Sequence, residues 1–110
     1  MKITVIGAGS IGAAVVRELC KRSDEVDQVQ VCDTRSRALQ RLHDHVDSQF
    51  LRSFQVDARD MNVLSQIVQG SDCVISCVPA ELNPDLAELC LAAGVHFCDL
   101  GGNDRVVKKE

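Results

Sequence analysis

A glycine-rich loop near the N-terminus constrains this sequence more than any other feature. The segment VIGAGSIG follows an apolar, β-branched run, KITVIG, and precedes a helical pattern. Between a strand and a helix, the G-x-G-x-x-G spacing of Gly7, Gly9 and Gly12 is typical of a βαβ unit that binds a dinucleotide. We expect Gly7 to allow the turn, Gly9 to leave room for a pyrophosphate, and Gly12 to let the helix pack closely. The first N–H groups of that helix then form an anion site without any neighbouring Lys or Arg.

Strand-like and helical segments alternate along the rest of the chain. Further strands are predicted at 28–33, 54–57, 73–78 and 95–100, and helices at about 10–22, 38–46, 62–69 and 84–93. Apolar strands that alternate with helices indicate a parallel sheet covered on both faces. Because crossovers are right-handed, we predict an α/β, Rossmann-type doubly wound parallel sheet of about five strands in the order 3-2-1-4-5. We expect a dinucleotide-binding domain over residues 1–100 and, at 101–110, the start of a connection to a catalytic domain outside this sequence.

Composition excludes several classes of function. A net charge of -4, with three Phe and no Trp or Tyr, argues against a nucleic-acid partner. Neither a signal sequence nor a membrane-spanning stretch is visible, so we expect a cytoplasmic protein. The six cysteines are expected to be buried, reduced thiols, and the spacing of Cys73 and Cys77 does not favour a metal site. His43 and His45 are two residues apart on a predicted helix, which indicates solvated surface.

An acidic residue, Asp33, ends the second predicted strand about 20 residues after Gly12, where dinucleotide-binding units place an acid. Its carboxylate can accept hydrogen bonds from both hydroxyls of an adenine ribose. The same charge would repel a 2′-phosphate, so NAD is favoured over NADP. Arg35 and Arg37 leave NADP possible, because an arginine just beyond this strand can pair with a 2′-phosphate. The other interpretation of these two residues is exposed charge in the first turn of the second helix.

Two further loops follow strands at the same edge of the predicted sheet, where ligands of open α/β folds bind. Asp57 and Ala58 follow the third strand and either border the adenine or form a simple turn. Cys77, Val78 and Pro79 follow the fourth strand and are expected to face the middle of the cofactor. No pairing of a nucleophile with a base is evident, so no catalytic residue is assigned.

The segments VIGAGSIG, VCDTRSRAL, FQVDARD and DCVISCVPAELNPDLAELCLAAGVHFCDLGGND together resemble the N-terminal dinucleotide-binding domain of the saccharopine dehydrogenase and lysine 6-dehydrogenase family. The resemblance implies NAD(P)-linked hydride transfer at an amine or imine carbon of a lysine-like amino acid. It also implies that a second domain supplies the substrate-binding and acid/base residues, so that this chain alone binds cofactor without turnover. The full-length protein is expected to form a homo-oligomer.

The resemblance also assigns roles to individual residues. It places Asp33 at the ribose, Asp57 with Ala58 at the edge of the adenine, and Arg35 where the family divides between NAD and NADP. The pyrophosphate loop comprises Gly7, Gly9, Ser10, Ile11 and Gly12, and the segment nearest the nicotinamide ribose comprises Cys77, Val78 and Pro79.

An alternative is a regulatory, NAD-sensing ligand-binding module of a potassium transport system. Such modules also begin with G-x-G-x-x-G and have a similar length, but they catalyse nothing. Their fourth strand usually leads into polar, acidic residues, whereas here it leads into VPAELNP. The ending CDLGGN has no counterpart in them.

Overall fold

A parallel five-stranded sheet with helices on both faces forms the body of the protein. The computed structural model describes residues 1–22, 24–46 and 49–100. Its strands are β1 (Lys2–Ile6), β2 (Gln28–Asp33), β3 (Leu51–Gln55), β4 (Cys73–Ser76) and β5 (His96–Asp99), and its helices are α1 (Ser10–Cys20), α2 (Ser36–His45), α3 (Met61–Val68) and α4 (Asn83–Ala93). The sheet order is β3-β2-β1-β4-β5 and every pairing is parallel, which confirms the predicted fold class and strand order.

Side chains of alternate strand positions build two separate cores, one on each face of the sheet. Helices α1 and α2 pack against one face, where Val5 and Val31 meet Val16 and Leu39. Helices α3 and α4 pack against the other face, and the residues of that core include Ile6, Val74, Leu64 and Leu86. The chain therefore changes face between β3 and β4, and a crevice opens at the carboxyl ends of β1 and β4, where the strand order reverses.

The predicted position of the third strand is wrong. β3 spans Leu51–Gln55, whereas the apolar pattern predicted residues 54–57. Among the described strands β3 pairs only with β2, so it lies at the edge of the sheet and carries polar residues such as Arg52. Because β3 has no apolar run, the residues that suggested a strand in the sequence were Phe54 and Val56. Val56 lies just after the strand.

Other boundaries differ by small amounts. Helix α1 ends at Cys20 rather than near residue 22, and β4 ends at Ser76 rather than at residue 78. A short 3₁₀ turn, Ala80–Leu82, precedes α4 and was not predicted. The predicted connection at residues 101–110 lies outside the described residues.

Not all of the cysteines are buried, as the sequence analysis had predicted they would be. All six are reduced thiols; Cys32 and Cys90 are buried, Cys98 is exposed, and the other three are half-buried. Cys98 lies on β5, at the edge of the described sheet, and this position leaves it accessible. Within the described ranges, no helix combines the length and the apolar character needed to cross a membrane.

Candidate functional site: the glycine loop and the adjoining cleft

Two of the three loop glycines are required by the packing of the loop itself. Gly7 has a φ of +103°, and a Cβ placed there would lie 2.7 Å from the carbonyl oxygen of Cys77. A Cβ on Gly12 would lie 1.8 Å from the carbonyl oxygen of Gly7. The start of α1 therefore rests directly on the turn that follows β1, and neither position has room for a side chain.

Gly9 is different, because nothing in the packing of the described residues requires a glycine there. Its φ is -73°, which any residue can adopt. The nearest atom to an added Cβ is Nη2 of Arg35, at 3.7 Å, at the end of a flexible side chain. The space above Gly9 is thus open, and an alanine would occupy it without a clash.

The helix that begins at this loop presents free backbone donors. The first intrahelical bond of α1 runs from the N–H of Ala13 to the carbonyl of Gly9, over 2.8 Å. The N–H groups of Ser10, Ile11 and Gly12 precede that bond and have no partner within the helix. Helix α1 also has no side-chain cap and no acidic residue in its first turn. An anion that approached over Gly9 would meet these donors and the positive end of the helix dipole.

Asp33 ends β2 beside the loop and is already fully engaged by neighbouring donors. Its Oδ2 accepts from the N–H of Ala8 over 2.7 Å and from Nη2 of Arg35 over 3.0 Å. Its Oδ1 accepts from the N–H of Arg35 over 2.8 Å and from Nε of Arg35 over 3.0 Å. The Asp33 side chain is only 8% exposed, whereas that of Arg35 is 61% exposed. Arg35 therefore covers the carboxylate that the sequence assigned to the ribose.

These contacts keep Asp33 ionised. Burial is the largest single influence and favours the neutral acid, but the hydrogen bonds from the side chain and backbone of Arg35 and from the backbone of Ala8 outweigh it. The pKa of Asp33 is consequently lowered, and the pKa of the Arg35 guanidinium is raised by the same pairing. The two charges stabilise each other at neutral pH.

A cleft of about 230 Å³ opens at the carboxyl ends of the strands. Six of the residues singled out from the sequence line it: Gly7, Asp33, Asp57, Ala58, Val78 and Pro79. Asp57 has a second role, because its Oδ1 accepts from the N–H of Arg59 over 2.8 Å and so stabilises the turn after β3. Asp57 therefore forms part of a turn and also lines the cleft, and its place at the edge of an adenine stays a prediction.

The other predicted residues lie next to this cleft rather than in its lining. Gly9 and Ser10 line a second cavity between α1 and α2, to which Arg35 also contributes. Ile11 is exposed and Gly12 is buried beneath the loop. Cys77 is half-buried, and burial, with smaller contributions from Cys98 and Asp99, raises the pKa of its thiol to about 11. The Cys77 thiol is therefore uncharged at neutral pH, and it supplies no anionic nucleophile.

Sequence reasoning missed six residues that line the cleft. They are Ile6, Cys32, Thr34, Val56, Arg59 and Leu82. Val56 and Leu82 offer apolar surface of the kind that a purine ring contacts. A search for apolar residues directly after β3 and β4 would have found Val56, whereas Leu82 lies in the unpredicted 3₁₀ turn.

The family model described as saccharopine dehydrogenase NADP binding domain matches residues 3–109, almost the whole chain. This match confirms the family resemblance that the sequence motifs indicated.

Solved structures with the same fold come from several kinds of enzyme. A saccharopine dehydrogenase (L-Glu forming) from Saccharomyces cerevisiae superposes with a TM-score of 0.74 at 20% identity, over 89% of this chain and 21% of that one. A putative epimerase from Bacteroides thetaiotaomicron gives 0.73 at 20% identity, over 89% and 45%. The WlbA dehydrogenase from Bordetella pertussis, in complex with NADH and UDP-GlcNAcA, gives 0.66 at 22% identity, over 90% and 27%. At such identities the likeness shows the fold alone, and this chain spans less than half the length of each structure.

Proposed function

The chain belongs to the family of saccharopine dehydrogenase NADP binding domains, and from this premise we propose that it holds NAD(P) for an oxidoreductase. One observation carries the proposal: the opening above Gly9 borders N–H groups of α1 that have no partner within the helix, and the packing of the described residues does not require it. A close approach by a diphosphate explains it. Such a cofactor, when bound, accepts or donates a hydride.

The residues present fit the parts of a dinucleotide. The N–H groups of Ser10, Ile11 and Gly12 would bind the pyrophosphate oxygens, because they are the free donors of α1. Asp33 would accept hydrogen bonds from the adenine ribose once the guanidinium of Arg35 moves away from it. The N–H of Ala8, which donates to Asp33 over 2.7 Å, would keep the carboxylate oriented during that exchange.

The cleft would receive the adenine end of the cofactor. Ala58 and Val78 lie among its lining residues together with Val56, so apolar surface is available for the base. Cys77 and Pro79, which follow β4, are assigned to the neighbourhood of the nicotinamide ribose by their place in the family motif. The neutral thiol of Cys77 would add no charge there.

The reaction we propose for the whole enzyme is hydride transfer between NAD(P) and an amine or imine carbon of a lysine-like amino acid. Support comes from the family match and from the segment HFCDL, which the sequence shares with that family. Substrate-binding and acid/base residues would lie in a second domain, outside these 110 residues. This chain alone would then bind cofactor without turning over an amino acid.

The sensor module of potassium transport systems is the weaker hypothesis. The family match over residues 3–109 supports the oxidoreductase instead. The two hypotheses share cofactor binding, so binding alone does not separate them. Dehydrogenase activity of a longer chain that includes the second domain would separate them.

Titration of the chain with NADH and, separately, with NADPH tests the proposal by the change in nicotinamide fluorescence. We expect saturable binding of at least one of them. Replacement of Asp33 with Ala is expected to weaken NADH binding more than NADPH binding, because only the unmodified ribose offers a 2′-hydroxyl. An absence of binding to both cofactors at millimolar concentration would contradict the proposal, and equal losses in the variant would remove Asp33 from the ribose site.

A further inference from the structure

The strand β5 forms one edge of the sheet and lacks the features that usually protect such an edge. Among the described strands it pairs only with β4. Natural proteins shield edge strands with Lys, Pro or a bulge, because the backbone groups along an edge can pair with another chain. The opposite edge, β3, carries the exposed Arg52, whereas β5 has the sequence HFCD, without Lys, Arg or Pro. The outer side of β5 is therefore a surface to which a further strand can add.

The hydrogen bonds of β5 show which of its backbone groups point outward. The N–H of His96 donates to the carbonyl of Asp72 over 3.3 Å, and the N–H of Leu100 donates to the carbonyl of Ser76 over 2.9 Å. The even-numbered positions are thus turned toward β4. Because backbone groups alternate in direction along a strand, the N–H and C=O of Phe97 point away from β4. Phe97 offers one donor and one acceptor to a neighbouring strand.

Helix α4 adds an apolar flank beside this edge. Its Leu86 and Cys90 are buried in the core, and its Leu89 lines a groove that α4 shares with α3. Ala87 and Leu91 are four residues apart, so they share a side of α4, and this side points away from the groove. Because α4 contacts α3 on one flank and β5 beneath, the side with Leu91 lies above the outer edge of β5. Leu91 is 81% exposed, the largest exposed fraction among the large apolar side chains of the described residues.

Apolar side chains continue around the edge strand itself. Phe97 is half-buried and packs on the side of the sheet that α4 covers, whereas Cys98 projects from the opposite face and is exposed. Leu100, just after β5, is also exposed. We call Ala87, Leu91, Phe97, Cys98 and Leu100 the β5 edge surface; none of its members is Asp, Glu, Lys, Arg or His. Two copies that meet there bring no like charges together, although the chain has a net charge of -4.

We propose that the β5 edge surface is a homodimer interface, in which β5 pairs antiparallel with β5 of a second copy about a two-fold axis. A two-fold axis suits a patch that is complementary to itself, and it closes the assembly at two chains. The two five-stranded sheets then form one continuous sheet. On one face of that sheet, the sides of the two α4 helices that carry Ala87 and Leu91 meet. The interface lies outside the residues assigned to the cofactor, apart from the proposed function.

The outward positions of β5 determine the register of this pairing. In an antiparallel ladder, hydrogen-bonded pairs form between residues whose backbone groups point at the other strand, and on β5 these are the odd-numbered positions. Pairing Phe97 with Asp99 of the second copy uses both odd positions, and it avoids a register that places two Asp99 carboxylates opposite each other. Cys98 then lies directly opposite Cys98 of the second copy, in a non-hydrogen-bonded pair with Cα atoms about 4.5 Å apart. Two thiols in this arrangement are close enough to form a disulfide.

Sedimentation equilibrium of the chain under reducing conditions tests the interface. We expect a reversible dimer whose fraction rises between about 1 and 200 µM, because a dimer dissociates on dilution by mass action. Leu91→Lys places a charge in the interface and should raise the dissociation constant at least about tenfold. Val63→Lys is the matched control, because Val63 is an exposed apolar residue of α3 outside the β5 edge surface, and it should leave the dimer unchanged. Circular dichroism checks that both variants fold.

Oxidation with diamide tests the register. Diamide takes up two electrons and two protons as two thiols form a disulfide, and it should link Cys98 to Cys98 of the second copy. Mass spectrometry of the unreduced peptides identifies the bond. Cys98→Ser should abolish the linked dimer, whereas Cys73→Ser, which removes a half-buried thiol from β4, should retain it. This measurement also decides the question if Leu91→Lys does not fold.

Several results would overturn the inference. They are a chain that stays monomeric at about 200 µM, a dimer that Leu91→Lys and Val63→Lys weaken equally, and linkage that persists in Cys98→Ser. Protection of the Phe97 N–H from hydrogen exchange in the monomer would also overturn it, because another segment of the same chain would then occupy the edge. A failure to bind NADH or NADPH would contradict the proposed function and leave the dimer unaffected.

Discussion

The guanidinium of Arg35 lies against the carboxylate of Asp33, with both Nε–Oδ1 and Nη2–Oδ2 distances equal to 3.0 Å. This bidentate contact joins the residue that we propose to favour NAD to the residue that we propose to favour NADP. It covers the carboxylate, whose side chain is only 8% exposed. We therefore expect the choice between the two cofactors to depend on how readily the pair separates.

Removal of the Arg35 side chain is expected to improve the binding of NADH. In Arg35→Ala the ribose hydroxyls no longer compete with a guanidinium for Asp33. Because the Arg35 guanidinium is largely exposed and solvent screens its side of the pair, the contact contributes about 1 kcal/mol, and we expect a gain of about two- to fivefold in NADH affinity. NADPH affinity should fall in the same variant. Fluorescence titration measures both affinities, and weaker NADH binding by Arg35→Ala would contradict this role.

The lowered pKa of Asp33 makes the stability of the fold depend on pH. A carboxylate whose pKa is lower in the folded chain stabilises the fold at pH values above its unfolded pKa of about 3.9. That stabilisation is lost as the pH falls below about 4 and through the lowered folded value. Asp33→Asn should therefore be less stable than the wild type at pH 7, and the difference should shrink toward pH 2 to 3. Urea unfolding of both proteins at the two pH values measures it; a difference that does not change with pH would contradict the assignment.

A buried hydrogen bond fixes the junction of β4 and α4. The hydroxyl of Ser76 donates to Oδ1 of Asn83 over 2.6 Å, and both residues are buried. Ser76→Ala would leave this oxygen without its donor, at a cost of about 1 to 3 kcal/mol in the free energy of unfolding. Chemical denaturation of Ser76→Ala, of Asn83→Ala and of the double variant gives the coupling between the two residues. Purely additive losses would show that the bond contributes nothing.

The strand order of the sheet was predictable because the apolar pattern of the strands and the rule of right-handed crossovers lead to the same arrangement. The apolar strands β1, β2 and β4 are buried, and right-handed crossovers leave few arrangements for strands that alternate with helices. The position of β3 was predicted wrongly because an edge strand needs no apolar run. The polar residues Arg52 and Ser53 interrupt the apolar pattern by which a strand is recognised. Periodicity locates buried strands better than edge strands for this reason.

The candidate site was predictable in part. Gly7 and Gly12 could be recognised by spacing, since their conformation and contacts leave no room for a Cβ. The contact by which Arg35 covers Asp33 could not be predicted, because it depends on the conformations of both side chains. The second cavity, between α1 and α2, could not be predicted either, because Arg17 and Arg41 line it only once these two helices pack side by side. His45, interpreted from the sequence as solvated surface, is exposed and also lines that cavity.

The affinity of Gly9→Ala for NADH and NADPH, measured beside its thermal unfolding, tests the central claim most directly. The folded chain has room for the added methyl group. Alanine lowers the conformational entropy of the unfolded chain, which stabilises the fold, but it is a poorer N-cap residue than glycine, which destabilises the fold. Because these effects oppose each other, the free energy of unfolding should change by less than about 1 kcal/mol. The methyl would occupy the approach to the N–H groups of α1, and we predict a loss of at least about tenfold in affinity for the cofactor that the wild type binds. A folded Gly9→Ala variant that binds this cofactor as tightly as the wild type would contradict the account.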